Sequence, residues 1–320
     1  MGRIIVIAIG GNAISSPTHK NEISYDKNSL IDEVSKCIAK LQKNGDQIII
    51  THGNGPQVGL EMRRGEAAQK SEKKIKELRL HSLTAQTQSL IGISLERSLR
   101  GYLKRMGKNP NVAVIITHVI VDPKDSAFKK PSKPIGNYLT KRELKIELMQ
   151  NHMNYIEKEG MFRIVVPSPK PISILEIEQI RALSCSSIVV ACGGGGIPIS
   201  NDRGGYRYLE CVIDKDAASF ILAKQMHADM LIILTDADYL YSNFDEKIGA
   251  IKEIDTKSLR KIAVRLEEGS IRPKAIACAD FSDATGNCAY IGNVGKLKEI
   301  LEGKSGTKII NRRINGDVKT

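Results

Sequence analysis

The stretch DQIIITHGNGPQVG, residues 46–59, runs through three isoleucines into a Thr-His pair and then into three glycines and a proline. A short apolar run that empties into glycines reads as a buried strand and turn, and its bare backbone offers N–H groups to a ligand that side chains would crowd out, an anion first. The dinucleotide fingerprint is not met, because Gly53, Gly55 and Gly59 read G-x-G-x-x-x-G, and Pro56 is expected to interrupt the helix start. A Walker A loop is excluded as well, since Lys298, not glycine, stands five residues before Gly303 in the "GKS" at 303–305. An anion-binding turn remains, with an ordinary tight strand-to-helix turn as the alternative.

Outward from this stretch, short apolar runs alternate with longer amphipathic ones. "RIIVIAIGG" (3–11) predicts a strand and turn, and "SLIDEVSKCIAKLQKNG" (29–45) a helix closed by Gly45. A further helix is predicted over "LTAQTQSLIGISLERSLRGYLKRMG" (83–107) and a strand over "NVAVIITHVIV" (111–121). This β-α-β-α-β series favours a mainly parallel sheet with helices on both faces. From about residue 122 to 162 prolines, lysines and a polar helical stretch break the alternation and mark an inserted subdomain or lid within one domain spanning 1–320. The alternation then resumes with "RIVVPSPKP" (163–171), "SSIVVACGGGGIPIS" (186–200), a helix around "DKDAASFILAKQMHA" (214–228) and "DMLIILTDADYLYS" (229–242). Ligands of open parallel sheets collect beyond the carboxyl ends of the strands, so four turns are expected to face one cleft: Gly10 and Gly11, Gly53 to Gly55, Gly193 to Gly196, and "TDAD" at 235–238.

The 320 residues can bury a full core, and 41% hydrophobic with 26% charged residues is ordinary for a soluble globular protein. No apolar run is long enough to cross a bilayer, and the apolar opening segment lacks an A-x-A-like cleavage site, so a cytoplasmic protein without a membrane partner is expected. Six cysteines are spread without a C-x-x-C pair and read as buried thiols; neither they nor the six histidines have zinc spacing, and no resident metal is expected. The net charge of +12 raises nucleic acid as a partner, but 4% aromatic residues and no tryptophan leave little for bases to stack on. Lysines such as those of "KSEKKIKELR" (70–79) read as a solvated helix face, and a positive field equally suits a small phosphorylated acid.

"VIDKDAASF" (212–220) sets Asp214, Lys215 and Asp216 in a row at the start of a helix. Two carboxylates can fix a lysine ammonium and cap helix N–H groups while the lysine faces developing negative charge; the alternative is a plain acidic N-terminus with a solvent lysine. Lys274 follows Pro273, and Lys133 precedes Pro134 and Gly136, so three lysines stand in stiff or glycine-bearing contexts. Backbone donors and cations around a moving group, with a divalent metal on the nucleotide phosphates, are what phosphoryl transfer requires. No G-x-S-x-G elbow supports an acyl-enzyme hydrolase.

Taken in order, "VIAIGGNAI", "THGNGPQVG", "KPIGNYL", "RIVVPSPKP", "IVVACGGGGIPI", "VIDKDAA", "LIILTDAD" and "GSIRPKA" closely resemble the carbamate kinases of the amino-acid kinase superfamily, from about residue 4 to about residue 310. The resemblance implies a three-layer α/β/α sandwich with a protruding lid, a homodimer, and reversible phosphoryl transfer between ATP and carbamate with Mg²⁺, giving ADP and carbamoyl phosphate. It implies flux toward ATP in the breakdown of arginine-derived carbamoyl phosphate. By the same resemblance Gly10, Gly11 and Asn12 with Gly53, Asn54 and Gly55 match the loops around carbamate and the transferred group. Lys133, Lys215 and Lys274 match its stabilising lysines, Asp214 and Asp216 the aspartates that organise the centre, and Asp236, Tyr241 and Ile271, with Lys274, lie in nucleotide-binding segments.

Acetylglutamate and uridylate kinases typically carry a lysine just before the first glycine turn; here Ala8 precedes "IGG" and no lysine follows until Lys20, so Lys133 on the lid is the candidate for the missing charge. The chain departs from the family pattern at Ile271 and Arg272, in "LTAQTQSLIGISL" and at Ile164, and Arg272 is expected to place an extra guanidinium beside the nucleotide. The competing readings are another small-acid kinase of the superfamily, a basic nucleic-acid-binding protein and a dinucleotide dehydrogenase.

Overall fold

The computed structural model describes residues 2–10, 29–41, 45–150, 154–243, 248–266 and 271–312. The first part of the chain forms β1 (Ile4–Ile9), α1 (Ser29–Leu41), β2 (Gln47–His52), α2 (Gly55–Ser71), α3 (Leu80–Arg105), β3 (Val112–Val114) and β4 (His118–Val121). A block of β5 (Lys133–Leu139), α4 (Lys141–Gln150), β6 (Asn154–Lys158) and β7 (Met161–Val166) follows. Next come β8 (Pro171–Ile174), α5 (Ile177–Ser184), β9 (Ile188–Val190), β10 (Ile197–Asp202), β11 (Gly205–Tyr208), α6 (Lys215–Gln225) and β12 (Met230–Thr235). The chain closes with β13 (Leu240–Asn243), β14 (Ile248–Ile251), β15 (Glu253–Asp255), α7 (Thr256–Ala263), α8 (Ile271–Thr285), β16 (Cys288–Asn293), α9 (Leu297–Leu301) and β17 (Thr307–Ile310).

Eight strands form the central sheet in the order β15-β17-β16-β12-β1-β2-β9-β3, and only the β16–β17 pair is antiparallel. Strand periodicity sends alternate side chains to opposite faces, and both faces are dry. Val6, Ala8, Ile49, Val189, Leu231 and Ile233 join one buried cluster with Leu222 of α6 and Phe281 of α8. Ile5, Ile7, Ile9, Ile48, Ile50, Ile232 and Leu234 join the other with Ile38 of α1 and Leu95 and Leu99 of α3. The result is the expected three-layer α/β/α sandwich.

Three local readings need correction. "NVAVIITHVIV" is two strands: β3 stays in the central sheet, whereas β4 joins a second sheet of order β11-β10-β4-β8. The break falls at Thr117, whose backbone N–H donates to Gln88 Oε1 at 3.0 Å instead of to a strand, while its carbonyl accepts from Gln88 Nε2 at 3.1 Å and from the Ile197 N–H of β10 at 2.9 Å. "RIVVPSPKP" does not resume the central sheet, because β7 pairs with β5 and β6 in a separate three-stranded sheet of order β5-β7-β6. This three-stranded sheet runs to Val166, past residue 162, where the inserted segment was expected to end. The lysine-rich 70–79 segment is not a helix face: α2 ends at Ser71, the backbone turns extended at Glu72, and residues 71–79 are exposed, with no apolar stripe buried to hold a helix.

Candidate active site

Strands β12, β1, β2 and β9 are adjacent and mutually parallel, so their carboxyl ends share one edge of the sheet. Gly10, Gly53 to Gly55, Gly193 to Gly196 and the 235–238 turn therefore gather there, as the alternation of the sequence requires. Gly11 and Asn12 lie outside the described residues.

The turn after β2 leads directly into α2. Pro56 does not interrupt that helix but occupies its first turn, where a missing N–H costs nothing. Asn54 stands at the N-cap position without a side-chain capping bond, and its side-chain Nδ2 donates to Thr87 Oγ1 at 2.9 Å. The first N–H groups of a 17-residue helix thus have no side-chain cap, and a Cβ placed on Gly55 would meet nothing within 4 Å. Such an end is suited to an anion. The glycine run after β9 seals the two loops together. A Cβ on Gly194 (φ +64°) would lie 2.1 Å from Asn54 Nδ2, and one on Gly195 (φ +93°) 2.2 Å from the Ile213 carbonyl oxygen. Only glycine permits both the approach and the backbone conformation.

Ile213 hands the chain to α6, where the charges converge. Asp214 Oδ1 accepts from the backbone N–H groups of Asp216 and Ala217 at 2.9 and 3.2 Å, capping the helix, while Oδ2 accepts from Lys133 Nζ at 2.6 Å. Asp216 is buried, its side chain 4% exposed, with Oδ1 2.6 Å from Lys215 Nζ and Oδ2 3.1 Å from Lys274 Nζ. Lys274 projects from the first turn of α8, and Lys133 begins strand β5 of the three-stranded sheet. The structure thus brings together Lys133, Lys215, Lys274, Asp214 and Asp216 from three separate segments.

Burial pulls the Asp216 carboxyl upward, but the two ammonium groups overcome it and hold its pKa at about 2. Burial lowers the Lys215 ammonium, assisted by Lys274 and opposed chiefly by Asp216. Three ammoniums face two carboxylates, which leaves one positive charge in a largely dry site for an incoming anion. An ammonium has three N–H donors, more than one carboxylate oxygen engages, so Lys215 keeps donors for an acceptor.

Of the expected nucleotide residues, Lys274 belongs to this cluster. Asp236 is exposed on the turn after β12, its carboxylate accepting from Thr235 Oγ1 and its carbonyl from Asn293 Nδ2, both at 3.0 Å. Tyr241 lies on the β13–β14 hairpin opposite Ala250. Ile271 is 3% exposed and committed to the core. Arg272 is not free for a nucleotide: its guanidinium donates to the carbonyls of Ala263 and Val264 and so caps the end of α7.

Two features of the site escaped the sequence reading. His52 is buried at the end of β2 with Nδ1 3.0 Å from the Gly53 carbonyl, and burial, with the Lys215 charge adding, drives its pKa down to about 4, so it is neutral. Thr51 Oγ1 lies 2.6 Å from Ser219 Oγ, which donates to the Lys215 carbonyl at 2.7 Å, tying β2 to α6. The polar Thr-His pair at the end of an isoleucine run was the available signal.

A parallel α/β sandwich that gathers glycine turns, an uncapped helix end and paired ammoniums at one sheet edge has the architecture of a kinase that moves a phosphoryl group onto a small acid. The chain belongs to the amino acid kinase family, whose profile matches residues 3–293. Several of its relatives are named carbamate kinase. It is 37% identical to carbamate kinase of Lentilactobacillus hilgardii over 98% of both chains, and 36% identical to that of Trichomonas vaginalis over 96% of this chain and 99% of the relative. The solved structure of carbamate kinase from Giardia lamblia bound to AMP-PNP superposes with a TM-score of 0.84 at 32% identity, covering 97% of this chain and 99% of that one.

Proposed function

We propose that this chain catalyses reversible phosphoryl transfer between ATP and carbamate, giving ADP and carbamoyl phosphate. The observation that carries the reading is the pairing of Lys215 and Lys274 on the single buried carboxylate of Asp216, next to the capped start of α6. In this mechanism the uncapped start of α2, with Gly53, Asn54 and Gly55, binds the small acid, and the Gly10 turn flanks it. Lys215 and Lys274 stabilise the charge on the phosphoryl oxygens during a direct in-line transfer without a phosphoenzyme. Asp216 positions both ammoniums. Asp214 caps α6 and holds Lys133, which the lid supplies in place of the lysine absent before the first glycine turn.

The 235–241 segment, with Asp236 and Tyr241, serves the nucleotide, which arrives with its Mg²⁺ as substrate. Among the described residues no group of three His, Cys, Asp or Glu side chains could hold a metal ion. The chain works as a homodimer in the cytoplasm, in the direction of ATP synthesis from arginine-derived carbamoyl phosphate. Among the described residues no helix is long and apolar enough to cross a membrane.

The test is ATP formation from carbamoyl phosphate, ADP and Mg²⁺, with acetyl phosphate as parallel donor. Rapid ATP production with preference for carbamoyl phosphate is expected. A folded, ADP-binding protein that leaves carbamoyl phosphate untouched would refute the acid named here and leave another small-acid kinase.

A further inference from the structure

The third glycine of the opening motif, Gly59, lies one helical turn inside α2, away from the uncapped end. A Cβ placed there would stand 2.8 Å from the Cα of Gly136, 3.4 Å from its nitrogen and 3.5 Å from its carbonyl carbon. The backbone of α2 and the backbone of lid strand β5 therefore touch with no side chain between them. Gly136 sits at an irregularity of β5: the strand pairs with β7 through Lys133, Pro134 and Ile135, loses register, and resumes at Leu139. Gly136 adopts φ +66°, which glycine takes without strain, and its carbonyl accepts from Arg163 Nη2 at 2.9 Å. The same guanidinium lies 5.2 Å from the centre of the Tyr138 ring. The bulge is thus braced from β7 and pressed onto α2 at one point. Behind that point the two bodies part, and a cavity of about 720 Å³ opens between Glu61, Met62 and Gly65 of α2 and Ile135, Ile164 and Val166 of the lid.

We infer that the Gly59–Gly136 contact is the seat that sets the height of the lid over the site, and that Gly59 is a positioning residue acting through Lys133. Lys133 stands three residues before Gly136 on β5, and its ammonium reaches Asp214 Oδ2 at 2.6 Å. Non-bonded carbons rest about 3.5–4.0 Å apart, so a methyl group on residue 59 moves the strand outward by about 0.7–1.2 Å. A displacement of about 1 Å in a reacting group costs about 10²-fold in rate. Because α2 also carries Asn54 and Gly55 at its start, one rigid helix links the acid-binding turn to the lid. The inference rests on the phosphoryl-transfer reading for its kinetic arm only.

The experiment compares wild type, Gly59→Ala, Lys133→Ala and the double variant in ATP formation from carbamoyl phosphate, with far-ultraviolet circular dichroism as a check on folding. Alanine is the better helix former, so a role in helix structure alone predicts a folded, fully active Gly59→Ala. The seat predicts a kcat loss of about 10- to 10²-fold with the KM for ADP within about 2-fold, and a double variant no more than about 3-fold slower than the worse single one. An unchanged kcat, or losses that multiply, overturns the inference. A second arm needs no activity: an amine-acylating reagent read by peptide mass spectrometry should modify Lys133 about 3-fold faster in Gly59→Ala, as its contact with Asp214 opens, while Lys215 reacts as in wild type. Equal Lys133 rates overturn the seat even if the substrate is not carbamate; inactive wild type with a raised Lys133 rate overturns the substrate and keeps the seat. Should Gly59→Ala fail to fold, Arg163→Ala, which removes the brace and adds no volume, must raise the Lys133 rate for the inference to stand.

Discussion

Asp216→Asn is the substitution that separates the charge argument from plain packing, because it keeps shape and removes one negative charge. Asp216 lies 2.6 Å from Lys215 Nζ and 3.1 Å from Lys274 Nζ, with all three side chains 13% exposed or less. At an effective dielectric of about 20 these separations correspond to gross attractions of about 6 and about 5 kcal/mol, most of which offsets desolvation. Removing the carboxylate strands buried positive charge and is expected to cost about 3–5 kcal/mol of stability.

The pH dependence gives a sharper test. Lys215 already has a lowered pKa, burial being the main cause and Asp216 the main opposing influence, so Asp216→Asn lowers it further. A lysine whose folded pKa lies below its unfolded value favours folding at high pH and opposes it as pH falls through the folded pKa. Stability of the variant should therefore recover as pH rises, whereas turnover, which needs the protonated ammonium, should recover as pH falls. Thermal midpoints and ATP formation between pH 6 and 9 measure the two trends. Parallel trends, or a variant within about 1 kcal/mol of wild type at every pH, would refute the reasoning.

Lys215→Ala and Lys274→Ala should each lower turnover by about 10²-fold or more, and a near-normal rate in both would sink the transfer mechanism. His52 titrates from 6.5 in the unfolded chain to about 4 when folded, so the folded state binds fewer protons and stability falls as pH drops from 6.5 toward 4, by up to about 3 kcal/mol. His52→Gln should flatten that decline in denaturant midpoints, and an unaltered slope would contradict it. Arg272→Ala should cost about 1–2 kcal/mol of stability through the lost cap on α7, with the KM for ADP within about 2-fold of wild type; a large rise in that KM would return Arg272 to the nucleotide.

The alternation of apolar runs was sufficient to read the central sheet, because strands buried on both faces need unbroken stretches such as "IIVIAI" and "MLIILT". The glycine turns followed from the same pattern, since parallel neighbours end at one edge. Thr117 marks where this reading ran out: its apolar flanks promise one strand, but its N–H goes to Gln88 of a distant helix and its carbonyl to Gln88 and to Ile197 of the second sheet, which divides the run in two. Arg272 marks a second place. Its position near Lys274 suggested a ligand contact, but a guanidinium goes to the nearest unsatisfied carbonyls, and those of α7 come close only in the folded chain.

The sequence by itself determined the layered α/β class, the turns that face the cleft and the residues Asp214, Lys215 and Asp216 at one helix start, since strand alternation and helix capping act over a few neighbouring positions. Beyond the family resemblance, only the tertiary structure shows which carboxylates Lys133 and Lys274 meet, from 81 and 58 residues away along the chain, and that Gly59 lies against Gly136. Charge pairing and backbone contact depend on distance in space, and that distance exists only once the sheet has placed α2, α6, α8 and β5 around a common edge.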